Sequence, residues 1–358
     1  MEYTHGGDIL TAQSQYRGPV LDCSANLNLL GMPPAVRTAA EGAVAQAVHY
    51  PDPFCRALAA GIAQRDGVRP EHVLCGNGAA DLIFRFCFAL RPQKAVVTAP
   101  TFSEYEQALA AAGCGVAHHL LREEDGFAVT AALLDGLTED VDVLFLCNPN
   151  NPTGRPVDAA VMDRVLEHCR EKRIRMVVDE CFLELTDGGP GLGLAHRIEE
   201  FPNLLLLRAF TKSYAMPGLR LGYGVCESRE VIRRLLLQLP AWNVSVPAQA
   251  AGLAALKEKE YVEKTAAYVA EERGFLVAGL KKAPGLIRRI YPSMANYIFL
   301  EALPGLDRLL ADRGIAVRSC ENYRQLRAGD YRIAVRSRRE NEALLQAIYE
   351  EEAAWQKI

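Results

Sequence analysis

The sequence predicts an α/β protein: a mostly parallel central sheet with helices on both faces, joined to a smaller α+β domain. Two observations predict it. Through the middle of the chain, short β-branched apolar runs alternate with longer amphipathic stretches, the pattern of βαβ units. In the last third the alternation gives way to long helical stretches broken by a few strand-like runs.

The elements follow in order. "KAVVTAP" (94–100) reads as a strand and "SEYEQALAAAG" (103–113) as the helix after it. "VDVLFLCNP" (141–149) is the next strand, followed by the helix "DAAVMDRVLEHCREKR" (158–173). In that helix Ala159, Met162, Val165, Leu166 and Cys169 recur at helical spacing, with Asp163, Arg164 and Glu167 opposite. "IRMVVDE", "NLLLLRAF" and "RLGYGVC" supply three further strands. From Pro247 to about Lys282 the chain is helical, and "RRIYPSMANYIFLE", "LDRLLADRGIAVRSC", "DYRIAVRS" and "NEALLQAIYEEEAAW" complete a small α+β domain. The expected division is 45–240 for the large domain and 241–358 for the small one. Residues 1–44 are too few to fold alone and are expected to pack on the small domain.

Composition narrows the function classes. A net charge of -4 and a pI near 6.0 leave no basic footprint for nucleic acid or an anionic membrane. The ten cysteines are scattered, without a Cys-x-x-Cys pair, and read as free thiols in a reducing compartment. Metal and disulfide use are not expected. "MEYTHGGDIL" has neither a basic n-region nor an apolar h-region, and no apolar run reaches the ~20 residues of a membrane span. A cytoplasmic location is the expectation.

In an open parallel sheet, ligands bind beyond the carboxyl ends of the strands. There the sequence sets Phe102, Asn148, Asn151, Asp179, Thr211 and Lys212. A lysine at the mouth of an apolar cleft loses its proton more easily, because desolvation penalises the ammonium, and becomes a nucleophile toward carbonyls. An aspartate beside it can keep a pyridine nitrogen protonated, which is what pyridoxal phosphate needs to accept electrons. Asn151 can donate to the phenolate oxygen of such a ring. "CGNGAADLIFRF" offers a glycine turn running into a helix near Ala79, a start suited to phosphate, with Thr211 and Arg220 completing the cup. Each residue alone also has an ordinary role: a solvated lysine, a strand-end cap, a turn asparagine, a core phenylalanine. Their company is what argues for chemistry.

"NPNNPTG", "VVDECF" and "TKSYAMPGLRLGYG", in this order and spacing, resemble the fold-type I pyridoxal-phosphate enzymes of the aspartate aminotransferase superfamily, and the resemblance spans nearly the whole chain. It implies the PLP-dependent transferase fold, pyridoxal 5'-phosphate as cofactor and Lys212 as the Schiff-base lysine. By the same resemblance Asp179 pairs with the pyridine nitrogen, Asn151 contacts the ring hydroxyl and Phe102 stacks on the ring. Gly78, Ala79, Thr211 and Arg220 form the phosphate cup. Tyr50, in "HYPDP", resembles the tyrosine that reaches the phosphate across a dimer interface, so a homodimer is implied.

Two branches compete. The histidinol-phosphate aminotransferases share the layout. The threonine-phosphate decarboxylases of cobalamin biosynthesis also resemble this chain in "HGGDI", "LDCSANLNLLGMP", "CGNG" and "VRSCENY", and in Phe182 where the aminotransferases usually carry Tyr. This second resemblance implies decarboxylation of O-phospho-L-threonine, or a close analogue such as phosphoserine, to (R)-1-aminopropan-2-yl phosphate. Arg332 is expected on the substrate carboxylate, and Arg318, His5 and Asn28 around its phosphate. Arg336, where the aminotransferases tend to have Gly, is expected in one of these anchors. The chain departs from both branches at Ala209, which stands where a Ser or Thr is usual, and "GNGAAD" departs from the Gly-Asn-Gly-Glu usual in the decarboxylases. A non-catalytic pyridoxal-phosphate-binding module is disfavoured because Lys212, Asp179 and Asn151 are all intact.

Overall fold

A computed structural model describes residues 5–16 and 18–356. Its strands in chain order are β1 (Leu21–Asp22), β2 (Val73–Gly76), β3 (Lys94–Ala99), β4 (Gly115–Leu120), β5 (Val143–Cys147), β6 (Arg175–Asp179) and β7 (Leu204–Ala209). They continue with β8 (Gly222–Cys226), β9 (Ile287–Ile290), β10 (Tyr297–Ala302), β11 (Ile315–Ala316), β12 (Arg318–Ser319) and β13 (Asp330–Ala334). The α-helices are α1 (Ile9–Gln15), α2 (Pro34–Val44), α3 (Arg56–Asp66), α4 (Ala79–Leu90), α5 (Glu104–Ala111) and α6 (Ala159–Glu171). After them come α7 (Phe210–Ser213), α8 (Arg229–Leu237), α9 (Val246–Ala255), α10 (Lys259–Leu280), α11 (Leu306–Ala311) and α12 (Arg338–Trp355).

Seven strands form the large sheet in the order β2-β8-β7-β6-β5-β3-β4. All of its pairings are parallel except those of β8, which runs antiparallel to both β2 and β7. Strand side chains alternate between faces, and the apolar runs feed both. Leu144, Leu146, Met176, Val178, Leu204 and Leu206 pack with Met162, Val165 and Leu166 of α6 on one face. Phe145, Val177, Leu205 and Leu207 pack with α4, α5 and α8 on the other. A strand buried on both faces cannot alternate with polar residues, which is why these segments read as continuous apolar runs.

The second sheet is antiparallel, β12-β13-β10-β9, with α10 and α12 contributing Leu276, Leu280, Leu344 and Ile348 to its core. The N-terminal segment divides between the two units. β1 pairs in parallel with β11, and Cys23 joins the small core, whereas Val36 of α2 joins the large core and α2 packs against α9. The large core likewise runs past the expected boundary at 240, because Ala248, Ala251 and Ala255 of the Ala-rich helix α9 close over Leu58 and Leu221. Among the described residues, no helix is long and apolar enough to cross a membrane.

Candidate active site

The carboxyl ends of β5, β6 and β7 bring Cys147, Asp179 and Ala209 side by side; Cys147 is in register with Asp179, and Asp179 with Leu207. Above them lies a cavity of about 710 Å³, well inside the range of small-molecule sites. Lys212, Asp179, Asn151, Phe102, Arg220 and Arg332 all line it.

Lys212 is carried by the one-turn helix α7 that begins where β7 ends. Burial is the main cause that lowers its pKa from the usual 10.5 to about 8, and the nearby Arg332 and Arg220 cations push the same way. Two bonds from Asn28 fix the turn: the Asn28 backbone N–H donates to the Lys212 carbonyl at 3.0 Å, and its amide donates to the Ser213 carbonyl at 2.7 Å. The same amide donates to the Thr265 hydroxyl at 3.0 Å, and its oxygen accepts from Leu30 N–H at 2.9 Å. Asn28, expected at the substrate phosphate, is therefore spent on backbone and α10 and does not line the cavity. It holds the lysine's turn in place.

Asp179 is 6 % exposed, and each carboxylate oxygen accepts one protein hydrogen bond. Oδ1 accepts from the Cys181 backbone N–H at 2.9 Å and Oδ2 from the Tyr105 hydroxyl at 2.6 Å. Tyr105 is fully buried, and burial followed by the Asp179 charge pushes its phenol pKa well up, so it stays a donor. Sequence reasoning missed it, although a second aromatic three residues after Phe102 at a helix start was a readable signal.

The Asn/Pro-rich loop divides its asparagines by task. Asn148 Oδ1 accepts from Val157 N–H at 2.9 Å, and the Asn150 amide bonds Pro100 and Thr153, each at 3.0 Å. Asn151 Oδ1 accepts from Arg332 Nη1 at 2.5 Å, which turns its amide N–H groups away from the guanidinium. Arg332 Nη2 also donates to the Ser24 carbonyl at 2.7 Å, and Asn26, with its amide oxygen toward the guanidinium, accepts from Nε at 3.1 Å. All three partners are neutral. Among the described residues no carboxylate lies within ion-pair distance of Arg332, so its charge remains available to an anion. Asn26 and Ser24 carried no signal that separated them from ordinary turn residues.

The residues expected to form a phosphate cup gather at the start of α4. Gly78 caps the helix at φ +86, a conformation that favours glycine, and a Cβ there would stand 2.6 Å from Arg220 Nη2. Arg220 itself takes φ +55, a strained backbone for a residue with a side chain, of the sort that concentrates at functional sites. An acid in the first turn beside an anion site would repel it, but Asp81 is occupied: it accepts from Asn77 N–H at 2.9 Å and Arg85 Nη2 at 2.7 Å. Thr211 and Ala79 line the cavity next to Arg220. The donor set fits a phosphorylated pyridine aldehyde: a helix start with an arginine, an amine of lowered pKa and a buried carboxylate. Gly78→Ala is expected to weaken pyridoxal phosphate retention at least about tenfold, measured as the dissociation constant, because the new methyl displaces Arg220.

The remaining expected residues fall into three groups. His5 lines the cavity. Arg318 does not, but stacks 5.4 Å over the ring of Tyr323, which does, and donates to Asn322 Oδ1 at 2.6 Å. Arg336 also lies outside the lining; it pairs with Glu340 at 2.8 Å, one turn along in the capping box of α12. Tyr50 is 75 % exposed and stacks on Trp242, with ring centroids 4.1 Å apart, away from this chain's own cavity.

Residues 19–348 match the family model "Aminotransferase class I and II". The chain is 36% identical over 350 residues to the threonine-phosphate decarboxylase of Salmonella typhimurium, covering 96% of this chain and 95% of that protein. It is 34% identical over 356 residues to the histidinol-phosphate aminotransferase of an Anaeromyxobacter species, covering 97% and 95% respectively. The crystal structure of the histidinol-phosphate aminotransferase from Clostridium acetobutylicum superposes with a TM-score of 0.87 at 28% identity, over 94% of this chain and 100% of that one.

Proposed function

The chain belongs to the aminotransferase class I and II family of pyridoxal-phosphate enzymes, and from that premise we propose that it is a carboxy-lyase acting on O-phospho-L-threonine. The product is (R)-1-aminopropan-2-yl phosphate, the aminopropanol unit of cobalamin biosynthesis. The observation that carries the choice of lyase over transaminase is the His5-Gly6-Gly7 segment, which forms part of the same cavity wall as Arg332 and Lys212. The relative named for threonine phosphate, matched over nearly its full length, points the same way.

In this reading Lys212 attaches the cofactor, Gly78, Ala79, Thr211 and Arg220 hold its phosphate, and Asn151 donates to the ring hydroxyl. Phe102 covers one ring face, and Asp179 keeps the pyridine nitrogen protonated. Pyridoxal phosphate supplies the electron sink that stabilises the carbanion left on Cα when CO₂ departs. The protein decides which Cα bond breaks by fixing two anions at once, the substrate carboxylate on Arg332 and the phosphate near His5, with Arg318 behind Tyr323 adding positive charge. Lys212, when it does not hold the cofactor, would stand beside Cα as an ammonium. Burial disfavours that ammonium, so it would give up its proton more readily than an ordinary lysine and deliver it to Cα in place of the CO₂, leaving the neutral amine.

A homodimer is part of the proposal. Tyr50 reaches the phosphate in the neighbouring subunit's cavity, a role supported by its outward stacking on Trp242 and by Val48 and Phe54, also exposed, in the same stretch. A cytoplasmic location is proposed from ten unpaired cysteines, all but Cys181 of them buried. Purified protein loaded with pyridoxal phosphate is expected to release CO₂ from O-phospho-L-threonine with no keto acid present. Amine transfer from histidinol phosphate to 2-oxoglutarate, with no CO₂ from phosphothreonine or phosphoserine, would sink the lyase reading in favour of the transaminase one.

A further inference from the structure

Three consecutive residues in the first turn of α5 each hold a different wall of the cavity. Successive positions on a helix project about 100° apart, so a single turn can serve three neighbours. Tyr105 points inward to Asp179. Glu106 reaches the loop that carries Tyr323: its Oε1 accepts from Arg324 Nη2 at 2.9 Å, and its Oε2 lies 3.0 Å from His118 Nε2. Glu104 Oε1 lies 2.8 Å from His5 Nε2, and an ionised carboxylate only accepts, so the ring nitrogen donates.

The segment that starts at His5 crosses from one sheet to the other. Gly7 N–H donates to the Ser24 hydroxyl at 2.9 Å, and Ser24 follows Cys23, whose carbonyl accepts from Ala334 N–H of β13. At the other end, His5 meets Glu104 and lies against Phe102, with ring centroids 5.6 Å apart. His5, Gly6, Gly7 and Ile9 all line the cavity, as Glu104 does. The strap is therefore pinned to the small-sheet side at Gly7 and to the large-sheet side at His5.

The two acidic residues flanking Tyr105 differ in weight. The Glu106–Arg324 pair has side chains 42% and 52% exposed, the class of ion pair worth about 0–1 kcal/mol. The His5–Glu104 pair is 27% and 16% exposed, better shielded from water and salt, and lies on the cavity wall itself.

We infer that Glu104 is a positioning residue: it fastens the strap of residues 5–9 across the cavity and so sets where His5 stands toward the anionic substrate. The substrate half of this inference rests on the phospho-amino-acid reading, whereas the strap half does not. The holoenzyme tests both. Hydroxylamine attacks the bound cofactor only as fast as the cavity admits it, whatever the natural substrate. Glu104→Ala is expected to speed that attack about tenfold and to raise KM for O-phospho-L-threonine about tenfold, with kcat changed less than about twofold. Glu104→Gln, which keeps an acceptor for Nε2–H, is expected to recover most of the protection. His5→Ala combined with Glu104→Ala is expected to be no worse than His5→Ala alone, since Glu104 acts through His5. An unchanged hydroxylamine rate in Glu104→Ala, or full additivity in the double variant, overturns the inference, as does an unchanged KM where the wild type turns over. Wild-type holoenzyme that releases no CO₂ sinks the substrate reading instead, and the hydroxylamine rates then decide the strap alone.

Discussion

Lys212→Ala is expected to lower CO₂ release from O-phospho-L-threonine by roughly 10⁴-fold or more, since it removes both the cofactor's covalent attachment and the acid that protonates Cα. Loss of fold is not the cause to expect. An ammonium at this position is disfavoured by burial first and by the Arg332 and Arg220 charges next, so wild-type Lys212 costs the apo-protein stability wherever it is charged. The sign follows from linkage. With its pKa lowered from 10.5 to about 8, the unfolded chain binds more protons than the folded one between those values, so wild-type stability rises with pH across that window. Below about pH 8 the burden is fully present, and apo Lys212→Ala is expected to melt at or above the wild-type temperature there. The rate at which the apo-protein captures pyridoxal phosphate depends on neutral amine, so it is expected to climb about tenfold per pH unit below about pH 8 and level off above it. An active Lys212→Ala protein would remove Lys212 from the chemistry, and a capture rate still climbing steeply through pH 9 to 10 would overturn its lowered pKa.

The sequence was most legible where one physical requirement dictated several neighbouring residues. Strands buried on both faces must be apolar throughout, so β3, β5, β6 and β7 stood out, and with them the polar residues just beyond their ends. The strand β4, "GVAHHL", escaped notice because it is the last strand of the sheet and none of its residues is fully buried, which relaxes the demand for apolar side chains. β2 escaped because four residues carry little pattern. At the site, Asn28 and Arg336 show the limit. Their residue types suit an anion, but the choice between a ligand and a neighbouring backbone or Glu340 is made by three-dimensional packing that spacing does not encode. Glu104 shows the converse: it reads as an ordinary first-turn acid, and its partner lies 99 residues away.

Asp179→Asn is expected to lower kcat by about 10³-fold, about 4 kcal/mol in the barrier. The substitution keeps shape and size, and the new amide oxygen can still accept from the Tyr105 hydroxyl or from Cys181 N–H, so the fold is expected to persist. What it removes is the negative charge in a site only 6 % exposed, and breaking a buried charge pair by deleting one partner costs about 3–5 kcal/mol. Without that charge the pyridine nitrogen is no longer held as a cation, and the carbanion at Cα loses its electron sink. Tyr105→Phe separates this effect from simple positioning. It deletes one hydrogen bond to a charged group, worth about 1.5–3 kcal/mol, and leaves the charge in place. Its expected loss is nearer tenfold, with the same pH profile as the wild type. The ordering of the two variants is the test: an Asp179→Asn enzyme within tenfold of wild type, or one no worse than Tyr105→Phe, would mean that the carboxylate serves only to orient the ring and that another group keeps the nitrogen protonated.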